Sequence, residues 1–551
     1  VEERLALHPT GNIIKMRGLK TMPRNAPIAK VEAPPPAPPV APRLRLGKLC
    51  VAIQGGTPQE LVDRAEGALA DAIQEAKFLE FRLDSVAKPA LALPKIKEFL
   101  ARRRDVTAIG TCRRKQHGGL FVGSLVAELE MLQKLAEAGC QLVDLEVESA
   151  EEAKAGQLAK FRAGLREFGC ALVVSFHDFT RTKGLEQAAA RIEAFEPDYV
   201  KVVSTARTLS DNLAVLKLIE DHSQAAHVVG IAMGEEGLLS RVLGPRAGGA
   251  FTFASSESGA ETAPGQISAR ALRDLYRIEQ LDQATRIFGV AGNPIGHSLS
   301  PLMHNTAFKR ENVNAIMLPL KVKALNDLLT VVRELPLGGV AVTMPLKQEV
   351  LPELANMDPL TAKIGACNTL RTGADGKLYG FNTDVAGVVR PLEKRLRLKG
   401  ARVAVLGAGG AARAAVFALV DQGAEVYVVN RTHETAVTLA RQAKAKSLKH
   451  EVFAKQKFDV LVNATPCGMV GGKEAMPIGE KELNASLVFD MVYNPLETPL
   501  LKLAKSRGVA VISGLEMFVT QGARQFEIWT GKPAPEAEMA RVVELELRRR
   551  G

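Results

Sequence analysis

From residue 48 onward, short apolar runs rich in Val, Ile, Leu and Phe alternate with longer stretches whose apolar positions recur every three or four residues. The runs read as buried strands and the stretches as helices with one face on a core, so the chain is a series of βα units. Eight such runs lie at 48–53, 77–83, 106–112, 141–147, 170–176, 199–203, 227–232 and 250–254. Together with the intervening helices they predict a (β/α)8 TIM barrel over 46–281, closed by a helix at 268–279. Its active site is expected where the strands end, in the loops that follow.

The pattern resumes almost at once with a strand at 286–290, so the two halves are expected to be close neighbours. A polar, Gly- and Pro-rich loop at 292–301 then leads into an amphipathic helix. Ser300-Pro301 there fits an N-cap with proline at the first helical position. Further on, an apolar run at 403–406 passes through Gly407-Ala408-Gly409-Gly410-Ala411-Ala412 into a helix, with a second strand at 425–430. Strand, glycine turn, helix and second strand fall where a dinucleotide fold needs them, with Ala412 in the third position of the Gly-x-Gly-x-x-Gly pattern. Runs at 458–465, 487–493 and 509–513 continue a parallel sheet. The α/β chain therefore divides into the barrel, a domain at 286–394 completed by helices within 515–551, and a Rossmann-type domain at 395–514.

Composition adds limits. At 551 residues the chain exceeds a single core, and 46% hydrophobic with 24% charged residues is ordinary for globular protein. Residues 1–45 are expected to be a disordered extension: 31–42 contains six prolines, and 15–30 is basic without acids. No apolar run reaches the ~18 residues that span a bilayer. A cytoplasmic monomer is expected, with the plastid stroma as the alternative if the basic extension is the remnant of a transit peptide, and with an oligomer left open. The net charge of +11 is spread along the chain and aromatics are only 5%, which argues against nucleic acid, and small anionic substrates explain a mild positive field equally well. Six scattered cysteines without a Cys-x-x-Cys pair predict packed thiols rather than disulfides or zinc.

The chemistry of the first half centres on Lys201, set within the apolar run Tyr199-Val200-Lys201-Val202-Val203. A lysine is buried only when paired or working, and burial lowers its pKa toward a neutral amine able to form a Schiff base. The alternative is an edge strand with the amine in water. Polar groups at the other strand ends, Glu80, Arg82, Arg113, Glu146, His177 and Arg241, favour the working lysine. His177 is placed for acid/base chemistry.

In Glu80-Phe81-Arg82-Leu83-Asp84, Ser175-Phe176-His177-Asp178-Phe179, Lys201, Ser240-Arg241 and Ala263-Pro264-Gly265-Gln266, this half resembles type I 3-dehydroquinate dehydratase. The resemblance implies an imine on Lys201, proton transfer by His177 and a carboxylate clamp at Arg241. Glu80, Arg82, Arg113, Thr262 and Gln266 would bind the rest of the substrate, and no metal is required. Two positions depart from the family. His117 stands where a glutamate usually orients the catalytic histidine, and Thr262 stands where serine is common.

The second half resembles shikimate dehydrogenase in Ser298-Leu299-Ser300-Pro301, Lys347, Ala366-Cys367-Asn368-Thr369, Asn382-Thr383-Asp384, Asn430-Arg431-Thr432, Asn463-Ala464-Thr465-Pro466, Tyr493-Asn494-Pro495 and Gln521-Gly522. That resemblance implies Lys347 and Asp384 as the catalytic pair. Ser298, Ser300, Thr343, Asn368, Tyr493 and Gln521 would hold shikimate. Gly407, Ala408, Gly409, Gly410, Ala411, Asn430, Arg431, Thr432 and Thr465 would hold NADP(H), with Arg431 on the 2′-phosphate. Together the halves resemble the fused dehydratase/dehydrogenases of plants and some bacteria. A quinate/shikimate dehydrogenase with a weak dehydratase half, or an inactive quinate-pathway sensor, are the alternatives.

Overall fold

Strand side chains point alternately to opposite faces, so a run that is apolar throughout must be covered on both sides. The computed structural model describes residues 44, 46–71, 77–257, 259, 261–472 and 474–550. Apart from Leu44, the extension expected at 1–45 lies outside them.

The first eight runs form β1 (Leu49–Ile53), β2 (Lys77–Arg82), β3 (Val106–Thr111), β4 (Leu142–Glu146), β5 (Ala171–His177), β6 (Tyr199–Thr205), β7 (His227–Met233) and β8 (Thr252–Ser255). They make one parallel sheet in the order β7-β6-β5-β4-β3-β2-β1-β8. At the seam the Ala250 N–H donates to Val228 O, 2.7 Å away, which nearly closes the barrel without a full ladder between β7 and β8. The interior is layered. Its lower part is an apolar plug in which Phe78 meets Phe251 edge-on, with ring centroids 4.9 Å apart. Its upper part is polar.

The expected closing helix at 268–279 is cut short. It becomes a single π-helical turn, Ala271–Leu275, and Arg277 takes a left-handed conformation (φ 50°) that ends it. From this break Arg277 Nη2 donates to Ala315 O at 2.9 Å, tying the barrel to the second half. Asp327 of the second half receives the Leu209 and Ser210 N–H groups at 2.9 and 3.0 Å. Lys321 and Lys323 pair with Glu236 just after β7, each at 3.4 Å.

The second sheet contains β9 (Arg286–Gly292), β10 (Ala315–Lys321), β11 (Leu337–Val342), β12 (Asn356–Met357), β13 (Thr369–Thr372) and β14 (Leu378–Phe381), ordered β10-β9-β11-β13-β14-β12 with β13 antiparallel to both neighbours. The third contains β15 (Arg402–Leu406), β16 (Glu425–Val429), β17 (Lys446–Leu448), β18 (Phe458–Asn463), β19 (Ala485–Asp490) and β20 (Ala510–Ile512). Its order, β17-β16-β15-β18-β19-β20, with all strands parallel, is that of the Rossmann fold.

The strand expected at 487–493 begins earlier and ends at Asp490, because that buried carboxylate accepts from Asn463 Nδ2 (2.9 Å) and Thr498 Oγ1 (2.6 Å) and turns the chain. The strand expected at 458–465 likewise stops at Asn463, whose amide oxygen accepts from the Thr465 N–H at 3.1 Å. Helix Gly514–Thr530 returns to the second sheet and packs on helix Asp384–Glu393. A Cβ on Gly387 would stand only 3.0 Å from Met517 Cγ, so glycine lets the two helices approach this closely without displacing Met517. All six cysteines are buried free thiols, as expected. Among the described residues no helix is long and apolar enough to cross a membrane.

Candidate active sites

Alternation along β4, β5 and β6 turns Asp144, Glu146, Ser175, His177 and Lys201 into the upper barrel. The pairing brings Glu146 beside Ser175, and Ser175 beside Lys201. Lys201, 4% exposed, donates to Asp144 Oδ2 at 2.7 Å and stands 4.2 Å above the Phe253 ring. It lies on an inner strand rather than an edge, and it is paired. The alternative of an edge strand with the amine in water is therefore set aside, and Asp144 is the counter-charge that burial of the amine calls for.

Asp144 also receives Arg113 Nη2 at 3.2 Å and Ser175 Oγ at 2.5 Å. Burial works to raise its carboxyl, and the Lys201 and Arg113 charges more than reverse that, holding it well below the usual carboxylate range. Glu146 meets His177 Nδ1 at 2.9 Å and Arg113 Nε at 3.0 Å. Burial works against its charge as well, and the charges on His177 and Arg113 lower it overall. His177 is pushed below the usual imidazole value by burial and then by Arg113, with Glu146 opposing.

Glu146 is thus the carboxylate that orients His177. His117 turns instead to Arg114 Nη2, 3.2 Å from its Nε2. Glu80 is buried and accepts from Thr111 Oγ1 at 2.7 Å, while Arg82 is held by Asp84 through two bonds of 3.1 and 2.9 Å. Gln266 Oε1 accepts from the Thr262 N–H at 2.7 Å, which closes the loop over β8.

Arg241 differs from these. It is 1% exposed, its Nη2 donates to Pro264 O at 3.0 Å, its Nε has no partner, and no acid among the described residues pairs with it. Burial alone pulls its guanidinium down to about 10. A buried cation without a counter-ion is costly, so its surroundings suit an incoming anion.

In the second half Lys347 Nζ donates to Asp384 Oδ2 at 2.5 Å. Asn368 Nδ2 holds the other Asp384 oxygen at 2.8 Å, and Asn368 Oδ1 receives the Thr383 N–H at 2.8 Å. Gln521 from the returning helix is buried at this cluster, its Oε1 3.5 Å from Asn368 Nδ2. Ser300 is buried and begins helix Ser300–Arg310, so it is not the N-cap. Ser298 Oγ receives its N–H at 3.3 Å. Thr343 is half-buried at the end of β11, and its backbone N–H donates to Ala291 O at 2.9 Å. Tyr493 stacks on Phe518 with ring centroids 4.3 Å apart.

The glycine turn after β15 suits a dinucleotide. Gly407 has φ 110°, and a Cβ there would meet Ala464 O at 3.2 Å. Helix Gly410–Asp421 starts at Gly409 with no side chain capping it, so its first amides are free for a pyrophosphate, and Ala408 and Ala411 flank them. A Cβ on Gly410 would lie 3.3 Å from Lys347 Cδ, so the glycine turn borders the Lys347–Asp384 pair. Thr465 Oγ1 donates to Asn463 at 2.6 Å, and Asn430 Nδ2 to Thr432 O at 3.0 Å. Arg431 is placed apart from these, 87% exposed and paired with Glu474 at 3.1 Å.

Asp144 was read from the sequence only as one possible carboxylate partner of His177, beside Glu146 and Asp178, and Ser175 and Thr111 were given no role of their own. The signal available for them was period two: polar positions alternating with apolar ones inside buried strands.

Fold and sites define a two-site enzyme, a lyase barrel joined to a dehydrogenase. Family models match as type I 3-dehydroquinase over 49–283, the shikimate dehydrogenase substrate-binding domain over 290–370, shikimate/quinate 5-dehydrogenase over 391–491 and the shikimate 5′-dehydrogenase C-terminal domain over 514–544. The chain is 34% identical to a chloroplastic bifunctional 3-dehydroquinate dehydratase/shikimate dehydrogenase of Arabidopsis thaliana, over 84% of this chain and 78% of that protein. It is 42% identical to a shikimate dehydrogenase (NADP+) of Methanosarcina acetivorans, over 47% of this chain and 97% of that one. A solved shikimate 5-dehydrogenase from Thermus thermophilus, in complex with NADP(H) and shikimate, is 36% identical over 47% of this chain and 99% of its own, with a TM-score of 0.44. The chain belongs to the bifunctional 3-dehydroquinate dehydratase/shikimate dehydrogenase family.

Proposed function

We propose that the barrel, residues 46–281, dehydrates 3-dehydroquinate to 3-dehydroshikimate, and that the domains at 286–394 with 515–551 and at 395–514 reduce the product to shikimate with NADPH. The observation that carries the reading is a pair of lysine–carboxylate contacts, Lys201–Asp144 and Lys347–Asp384, one at each site.

In the barrel the Lys201 amine adds to the substrate ketone and water leaves, giving an imine that acts as an electron sink. His177, oriented through Nδ1 by Glu146, takes the adjacent proton at its other nitrogen and returns it to the departing hydroxyl. Hydrolysis of the imine then takes up one water, releases 3-dehydroshikimate and restores the Lys201 amine, so one water is lost overall. Arg241 receives the substrate carboxylate, and Glu80, Arg82, Arg113, Thr262 and Gln266 hold the ring. In the second half Lys347 and Asp384 hold and move the proton at the reacting oxygen while Ser298, Ser300, Thr343, Asn368, Tyr493 and Gln521 fix the ring. NADPH, when bound, supplies the hydride, and Gly407, Gly409, Gly410 and Arg431 would hold it.

Supplying 3-dehydroquinate with and without NADPH tests the proposal. Without NADPH the product is 3-dehydroshikimate, and with it shikimate. Reduction of 3-dehydroquinate to quinate as the main outcome would instead support the quinate alternative.

A further inference from the structure

Arg431 does not stand alone at the end of β16. Glu474 Oε1 holds its Nη1 at 3.1 Å, and Glu474 is itself anchored. Its Oε2 accepts from Cys467 Sγ at 3.2 Å, and its backbone carbonyl accepts from the Gly468 N–H at 2.9 Å. Cys467, Gly468 and Glu474 belong to the loop leaving β18. The start of that loop lies against the glycine turn, where a Cβ on Gly407 would meet Thr465 Cγ2 at 3.2 Å. The backbone that lines the nucleotide turn therefore also delivers a carboxylate to the arginine.

We propose that Glu474 is a specificity-determining residue that competes with the 2′-phosphate of NADP(H) for Arg431. This rests on the reading of Arg431 given above. A phosphate reaching the guanidinium must displace the carboxylate or sit beside it, and two like charges sharing one cation repel. NAD(H) carries a hydroxyl at that place and meets no such repulsion. Glu474 offers it an acceptor of the kind that NAD-binding folds place at the end of the second strand. Glu474 thus narrows the preference for NADP(H) from both sides. Arg431 and Glu474 side chains are 87% and 55% exposed, so the effect is on the scale of an exposed ion pair, about 2- to 5-fold, well short of a buried one.

The test is shikimate oxidation with NADP+ and with NAD+ in the wild type, Glu474→Gln, Glu474→Lys, Arg431→Ala and the Arg431→Ala/Glu474→Gln double variant. Dehydratase activity controls for an intact chain. The NADP+/NAD+ ratio of kcat/KM should rise about 2- to 5-fold in Glu474→Gln and further in Glu474→Lys, mainly through a lower KM for NADP+. On the Arg431→Ala background the rise should largely vanish. An unchanged or lowered ratio in both Glu474 variants, or an equal rise without Arg431, overturns the competition while leaving the role of Arg431 standing. A ratio insensitive to Arg431→Ala overturns both.

Discussion

Lys201 Nζ and Asp144 Oδ2 stand 2.7 Å apart on β6 and β4, and Ser175 of the intervening β5 donates to the same carboxylate at 2.5 Å. Three adjacent strands converge on one oxygen pair, so the amine is held at a defined point in the barrel mouth. Borohydride added with 3-dehydroquinate should trap the substrate on Lys201, read by intact mass and peptide mapping. An adduct on another lysine of an active enzyme would refute the assignment.

Asp144→Asn leaves Lys201 and Arg113 without their shared counter-charge. Removing one partner of a buried pair costs about 3–5 kcal/mol, and small misplacements at a reacting centre cost ~10²-fold in rate. Dehydratase kcat should therefore fall by about 10²-fold or more, with the barrel melting earlier. The dehydrogenase rate of the same preparation should hold. A dehydratase rate within threefold of wild type, a limit set at about 0.7 kcal/mol, would show that the pair is dispensable.

Burial and Arg113 depress the His177 imidazole, so its neutral, proton-accepting form persists to lower pH than that of a free imidazole. The acid limb of dehydratase kcat/KM should therefore lie below about 6.5. Glu146 opposes the shift, so Glu146→Gln should move the limb further down and also lower the plateau through lost orientation. His117→Glu leaves Glu146 in place and should change the plateau less. A limb that moves upward in Glu146→Gln would contradict the electrostatic account.

Arg431→Ala should reduce the NADP+/NAD+ ratio for shikimate oxidation by about 10-fold. That is one charge-assisted contact to phosphate, at the low end of its usual range because Arg431 is exposed. Steady-state kinetics with both nucleotides reads it directly, and an unaltered ratio would place phosphate recognition elsewhere.

His304 is fully buried, its Nε2 is 3.3 Å from Gln525 Oε1, and burial pushes its imidazole down to about 4. Above pH 6.5 both folded and unfolded states carry it neutral. Below that the unfolded chain binds a proton that the folded chain refuses until about pH 4. Stability is thus intact at neutral pH and falls through this window, by about 3 kcal/mol at most. Trp529, the single tryptophan, lies 5.1 Å from His304 between ring centroids and reports this domain by fluorescence. In urea titrations between pH 7 and 4.5, His304→Gln should show a shallower acid loss than wild type. Parallel losses would assign the acid sensitivity to other groups.

The period of the apolar pattern, two in strands and near four in helices, is a local property. It made the eight barrel strands, the glycine turn at Gly407 and the strands of a Rossmann domain readable from residue identities alone. Residues at strand ends were legible for the same reason: Lys201 and His177 interrupt apolar runs, and Lys347 and Asp384 follow them. Which side chains meet depends on contacts far apart in the chain. The choice of Glu146 over His117 as the partner of His177 follows from the adjacency of β4 and β5, and the counter-charge of Lys201 comes from a strand two places away. Gln521 joins Asn368 only because the chain returns after the nucleotide domain. Glu474 reaches Arg431 through a loop whose course no local pattern encodes. Local propensity and burial are written along the chain, whereas the pairing of charges is decided by the geometry that brings distant segments within a few ångströms.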